Sequence, residues 1–155
     1  MEWISKYQAL VAACIAVLGV FFTAYIAMYN NNKNILIKTV TEERSKWRSE
    51  MRSLCSEFIS IAYNTKNEFN DEKLNKLLKI KVEIKLRLNP SKDPEHHLDQ
   101  TITTKIDNVI DYIQDERRII HVNHLLNDLE RSMQELIKQE WTKSKKEAKT
   151  GKITK

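Results

Sequence analysis

The sequence predicts an all-α protein: one amino-terminal transmembrane helix followed by a cytoplasmic bundle of about four helices. Three observations carry this. Residues 7–28, YQALVAACIAVLGVFFTAYIAM, contain no charge and no proline. The whole chain of 155 residues holds two Gly and two Pro with 30% charged side chains, a composition of long helices rather than of sheets and turns. Outside the uncharged stretch, apolar residues recur at spacings of three, four and seven, the rhythm of helices with one buried face.

The uncharged stretch comes first. At about 1.5 Å per residue it reaches roughly 33 Å as a helix, against about 30 Å for a hydrocarbon core. Residues 7–29 are therefore assigned as the span and residues 1–6 as a short non-cytoplasmic terminus. Trp3 and Tyr7 at one end, and Tyr25 and Tyr29 at the other, suit the two interfaces. Ala9, Ala12, Ala16, Gly19, Thr23 and Ala27 fall on one narrow arc, the small-residue surface through which membrane helices approach closely. They form the predicted self-association face and point to a homo-oligomer. A cleaved signal peptide would need a shorter apolar core behind a basic start and a small-x-small site. Here Lys6 is the single basic residue before the run, and Ala24 to Ala27 make a poor site. Lys33, Lys38, Arg44, Lys46 and Arg48 follow the span, so the positive-inside rule places the carboxyl-terminal part in the cytoplasm. Cys14 and Cys55 offer no disulfide framework.

Residues 30–38, NNNKNILIK, read as a polar juxtamembrane joint. Thr39 and Glu42 then have capping-box spacing, which predicts a helix start. Trp47, Met51, Leu54, Phe58 and Ile61 trace an apolar stripe to about Thr65. Arg44, Arg48 and Arg52 repeat at four on another face, either solvated or able to contact phosphates of lipid or nucleic acid. Residues 64–72 are turn-like. In residues 74–90 apolar and charged residues alternate as in a strand, yet they also segregate on a helical wheel; with no partner strand elsewhere, helix is preferred. Asn89-Pro90 ends it. Asp93-Pro94-Glu95 reads as an N-cap, a first-position proline and a first-turn acid. The stripe Leu98, Ile102, Ile106, Val109 and Ile113 is nearly opposite a second one, Val122, Leu126, Leu129, Met133 and Leu136, so residues 94–148 divide into two helices more naturally than they form one. The bundle is assigned to residues 39–141, with Leu129, Met133, Leu136 and Trp141 joining Trp47 and its stripe in the core. A basic tail covers residues 142–155. From Lys138 onward seven Lys face two Glu, a surplus of five that equals the whole-chain net charge of +5. Lys143, Lys145, Lys146 and Lys149 are its candidate contacts to anionic lipid or another phosphate-bearing partner.

Three landmarks stand in order along this bundle: Arg44-Ser-Lys-Trp47 with Met51-Arg52, Leu86-Arg87-Leu88-Asn89-Pro90, and Leu136-Ile-Lys-Gln-Glu-Trp141. The set resembles that of small bacterial single-pass membrane proteins of unassigned function, and covers most of residues 40–146. The resemblance implies a bacterial inner-membrane protein with a helical cytoplasmic domain, and no reaction. The chain departs from the pattern in carrying Arg48 where an apolar residue often follows the tryptophan.

Signals for catalysis are missing from the sequence. It has no G-x-S-x-G, no H-E-x-x-H and no glycines to build a phosphate loop. No cofactor or catalytic residue is assigned. His121, His124 and Asp128 could share a helical face and are the one weak metal candidate; adjacent His96 and His97 diverge. The expectation is a membrane-anchored interaction or assembly subunit, of a kind suited to signalling or defence. Its partners would be the bilayer, further copies of itself, and an anionic lipid or protein. The runner-up is a membrane-tethered nucleic-acid binder using the basic tail and the Arg44/Arg48/Arg52 face, disfavoured because no aromatic residues suited to base stacking accompany the basic ones.

Overall fold

The computed structural model describes residues 2–67, 70–89, 91, 93–115 and 121–153. Among them there is no strand. Four α-helices follow one another: α1 (Glu2–Asn67), α2 (Asp71–Arg87), α3 (His97–Gln114) and α4 (Val122–Thr150), with a 3-10 turn at Pro94–His96 before α3. The chain divides into two compact units, Met1–Thr41 with Glu147–Lys155, and Glu42–Lys146.

In the first unit α1 carries the apolar stretch. It is long and apolar enough to cross a membrane, with a mean hydropathy of 2.4 over its best window and none of that window buried. Tyr7, Leu18, Phe21, Tyr25 and Tyr29 are all exposed. Residues 30–38 are helical too, so the polar joint is no break, and Thr39 and Glu42 sit inside a helix rather than capping a new one. The physical reason is cooperativity. Asn costs a few tenths of a kcal/mol relative to Ala, up to about 0.7. Stopping and nucleating a second helix costs more, and neither Gly nor Pro interrupts the segment.

Residues 147–153 belong to the same unit. Helix α4 ends at Gly151, which has φ +64° and donates its N–H to the Glu147 carbonyl at 2.8 Å, the bond of an αL C-cap. A Cβ at Gly151 would lie 3.5 Å from Lys33 Nζ and 3.8 Å from Ile37 Cδ1. The chain thus comes back to α1 just past the apolar stretch.

The second unit is the bundle. Its core is apolar and comes from all four helices: Met51, Cys55, Phe58 and Ala62 of α1, Leu77, Ile80 and Ile84 of α2, Ile102, Ile106, Val109, Ile110 and Ile113 of α3, and Val122, Leu126, Leu129, Met133, Leu136 and Ile137 of α4. Each Val, Leu, Ile, Met or Phe among them contributes roughly 1.5–3 kcal/mol by leaving water. The two opposed stripes are accordingly two helices; residues 116–120 between them lie outside the described residues. The ambiguous segment is helix α2. It starts at Asn70, whose side chain accepts the Glu72 N–H at 2.8 Å. Its apolar arc is wider than the bundle covers, leaving Val82 and Leu86 exposed. Asp93 does precede the proline-led turn, but its side chain accepts a bond from Ser91 Oγ at 2.8 Å instead of capping.

Polar clamps fix the helix pairs. Lys81 and Lys85 of α2 both reach the Asp107 carboxylate of α3 at 2.8 Å. Burial alone would raise the Asp107 pKa, but the two ammonium groups outweigh it and hold the carboxyl below its ordinary value. Lys105 Nζ of α3 donates to Asp128 O and Ser132 Oγ of α4, at 2.9 and 2.8 Å.

Candidate functional site

On α1 the buried line is Arg48, Met51, Cys55, Phe58, Ala62 and Thr65, spaced three and four apart. Trp47, Leu54 and Ile61 pack against the core from its flank and are only partly buried. The predicted stripe is therefore rotated by one residue, which draws an arginine inward. Arg48 is 4% exposed. Its Nη1 donates to Ser144 Oγ of α4 at 2.8 Å, and that hydroxyl donates to the Glu140 carbonyl at 2.9 Å. The guanidinium carbon lies 5.2 Å from the centre of the Trp141 ring. Burial, followed by the repulsion of Arg52, lowers the Arg48 pKa; Glu140 opposes this and Arg44 adds to it. Arginine nevertheless keeps its charge at neutral pH.

Two predicted assignments are corrected here. Arg44, Arg48 and Arg52 do not form one solvent face: Arg52 is exposed, Arg44 half-buried and Arg48 buried. Trp141 is not a core residue, being 48% exposed with Lys145 Nζ 4.9 Å above its ring. The α4 rhythm explains this, since Leu136 is followed at four, four and three by Glu140, Ser144 and Glu147. Ser144 and Glu147 are both buried, and Trp141 falls off the line. Leu129, Met133 and Leu136 are buried as expected.

Between α1 and α4 runs a groove of about 970 Å3. Its floor is apolar, formed by Cys55, Ile59, Met133 and Ile137, and exposed Ser56, Ser60, Glu130, Gln134 and Lys138 stand along its rim. Arg48, Arg52 and Trp141 line it as well. Burial, with Glu130 nearby, pushes the Cys55 thiol up to about 11, so it is a packed apolar group rather than a nucleophile.

A second, smaller cleft of about 270 Å3 gathers residues from all three sequence landmarks. Trp47 Nε1 donates to the Arg87 carbonyl at 3.1 Å, and Arg87 Nε reaches Glu50 at 3.3 Å. Arg87 Nη1 bonds the Glu83 carbonyl rather than its carboxylate. Asn89 lies 3.0 Å from His96 Nε2, whose other nitrogen is 3.3 Å from Asp99. Glu140 and Lys143, 3.1 Å apart, line it from α4. Burial raises the Asp99 pKa against the opposing bonds from the Asn89 backbone and His96. Sequence reading did not find Glu50, Asp99 or the His96 contact. The available signal was Trp47 itself, whose indole N–H needs a partner once packed. Among the described residues the lining of the cleft holds the His96–Asp99 pair and no hydroxyl or thiol.

The remaining predicted residues are placed as follows. His124 Nδ1 meets Asp128 at 3.4 Å and is largely solvent-exposed, as is His121; among the described residues no three potential ligands converge. Ala12, Ala16, Gly19, Thr23 and Ala27 lie on exposed helix, nothing approaches Gly19, and the Thr23 hydroxyl donates to the Gly19 carbonyl at 2.7 Å. The side chain of Ala9 is outside the described set. Of the basic tail, residues 142–150 are helical. Lys143 and Lys145 have the partners given above, Lys146 is also engaged, and Lys149 is exposed in the last turn. Cys14 and Cys55 are both free thiols.

No family model matches this chain, and neither a curated protein nor a solved structure is significantly similar to it.

Proposed function

We propose that this protein is a single-pass subunit of a bacterial inner membrane, N-out and C-in, whose cytoplasmic bundle serves assembly with other copies or partners and performs no catalysis. One observation carries the reading. The bundle of residues 42–146 has its own apolar core, while none of the residues in the apolar window of α1 is buried. Such a stretch in water would expose far more contiguous apolar surface than soluble proteins tolerate; lipid is the solvent that suits it. The open line of small residues from Ala12 to Ala27 supports self-association.

Charge supports the orientation. Lys33 follows the apolar stretch closely, and Gly151 brings Lys149 and Lys152, its near neighbours in the chain, to the same end. Anionic headgroups would favour each such Lys by about 1 kcal/mol. The nucleic-acid alternative loses support, since Arg48 is buried and Lys143, Lys145 and Lys146 already have partners. The test combines membrane fractionation with a reporter fused after Lys155. Resistance to alkaline extraction and a cytoplasmic reporter are expected. A chain soluble without detergent, or a reporter on the outer side, overturns the proposal. In detergent, Gly19→Leu with Ala16→Leu should lower the native mass.

A further inference from the structure

The least explained group in the bundle is the Arg48 guanidinium. A buried arginine ordinarily faces a carboxylate, because an uncompensated charge out of water is expensive. Among the described residues Arg48 makes one hydrogen bond, to the neutral Ser144 hydroxyl, and no ion pair. Its remaining contact is the Trp141 ring, a weaker substitute. A guanidinium has five N–H donors, and those of Arg48 that Ser144 does not take open onto the groove, since no Arg48 nitrogen is both sealed off and unpaired. Arg52, one turn on, adds a second positive charge, and Glu140 offsets the first without reversing the net disfavour of burial and the neighbouring arginines. Both arginines line the α1/α4 groove, whose floor beyond them is Ile59, Met133 and Ile137. The void is at the upper end of the range of small-ligand sites, about 300–1,000 Å3. Along α4 the lining runs from Trp141 and Lys138 at the arginine end to Gln134 and Glu130 at the other, so the cations gather at one end while the apolar floor continues beneath a polar rim.

We propose that this groove binds a single-chain anionic amphiphile released from membrane lipid, with the headgroup held between Arg48 and Arg52 beside Trp141 and the acyl chain lying along Ile59, Met133 and Ile137. Cation and chain are both needed. A free anion leaves the floor empty, and a neutral amphiphile leaves the guanidinium unpaired. Arginine suits a phosphate or carboxylate head because its fork donates two parallel bonds.

The test uses the full chain in phosphatidylcholine nanodiscs and decyl phosphate carrying a diazirine on its chain. After irradiation, label is expected on peptides holding residues 52–60 and 130–141, and unlabelled decyl phosphate should compete. Decyl maltoside should compete at least about tenfold more weakly, the value of a charge-assisted hydrogen bond, and inorganic phosphate should do so too because it leaves the apolar floor empty. Arg48→Met should lose labelling by a similar factor while its melting temperature holds, since a similar apolar volume replaces the packed stem of the side chain. Ile59→Trp, which fills the groove and keeps both arginines, should lose labelling as well. The proposal is overturned by label that falls elsewhere within residues 42–146 and not on the groove, by equal competition from the maltoside, or by unchanged labelling in Arg48→Met. Equal competition from inorganic phosphate leaves an anion site without an acyl channel and overturns it too. So does an acidic amphipathic peptide that takes the groove when decyl phosphate does not.

Discussion

Trp47 and Trp141 occupy similar places in the sequence rhythm but differ in the fold, and the difference is measurable. Truncating a fully buried tryptophan to alanine costs about 3–5 kcal/mol. Trp47 is partly buried against the core, so about half of that, roughly 2 kcal/mol, applies to its ring. Its N–H bond to the Arg87 carbonyl adds about 1 kcal/mol. Trp47→Ala should therefore cost about 3 kcal/mol, which for a domain of about 100 residues lowers the melting temperature by on the order of 10–20 °C. Trp47→Phe keeps most of the ring and loses the bond, for about 1 kcal/mol. Trp141→Ala removes a ring that is 48% exposed and held by cations, for about 1 kcal/mol. Thermal unfolding of the full chain in detergent, followed by circular dichroism, reads all three. Equal losses for Trp47→Ala and Trp141→Ala, or a Trp47→Phe curve that overlays wild type, would refute the placement of the two rings.

Other outcomes follow from the same geometry. Phe58 is fully buried, and Phe58→Ala should cost about 3–5 kcal/mol in a urea titration. Gly151→Ala forces a left-handed backbone on alanine beside Lys33; it should cost about 1 kcal/mol locally and speed hydrogen exchange at residues 147–151 while the bundle's melting point stays put. Two aspartates should respond to pH with opposite sign. The Asp107 carboxyl is depressed in the fold, so its contribution is complete above the unfolded value of about 3.9 and is lost as pH falls through the folded one. Asp107→Asn should lower the melting temperature at pH 7, with the gap closing in acid. Asp99 is raised by burial, so its charge opposes folding above its folded value, and that penalty fades as pH falls toward about 3.9. Asp99→Asn should raise the melting temperature at pH 7 and lose that advantage in acid.

The all-α class and the apolar stretch were legible because they rest on composition and length, which no tertiary contact can alter. The α3 and α4 stripes were legible because each is long, strongly apolar and of one period. Two features were hidden by the same cause. On α1 the buried line runs through Arg48, Cys55, Ala62 and Thr65, less hydrophobic than neighbouring Trp47, Leu54 and Ile61, so a wheel weighted by hydrophobicity centres one residue off. On α4 the line passes into Ser144 and Glu147, which look like solvent-facing residues. The α1 segment at 30–38 misled in the other direction: polarity resembles a break, but only a lost donor or a flexible backbone makes one. The small polar cleft depends on residues up to 96 apart meeting, as Arg48 and Ser144 also do, and local pattern holds no record of such meetings.

The three landmarks can now be separated by what each supplies. The last carbonyls of a helix have no partner within it; that of Arg87 is met by the Trp47 indole, so the first landmark closes the helix that the second one ends. Trp47, Met51, Arg87 and Leu88 of these two motifs are accounted for by packing, while Leu86 stays exposed and Arg52 lines the groove. The third divides. Leu136 goes to the core and Glu140 to the cleft, whereas Trp141 turns outward over the Arg48 guanidinium. A fold selected for stability alone would lose nothing by an apolar residue at position 48, in line with its neighbours Met51 and Cys55 on the buried line. A cation there breaks the apolar pattern, and such departures concentrate where a protein meets something else. Position 48 is thus where stability and binding should part company, with the apolar variant as stable as the parent and no longer holding an anion.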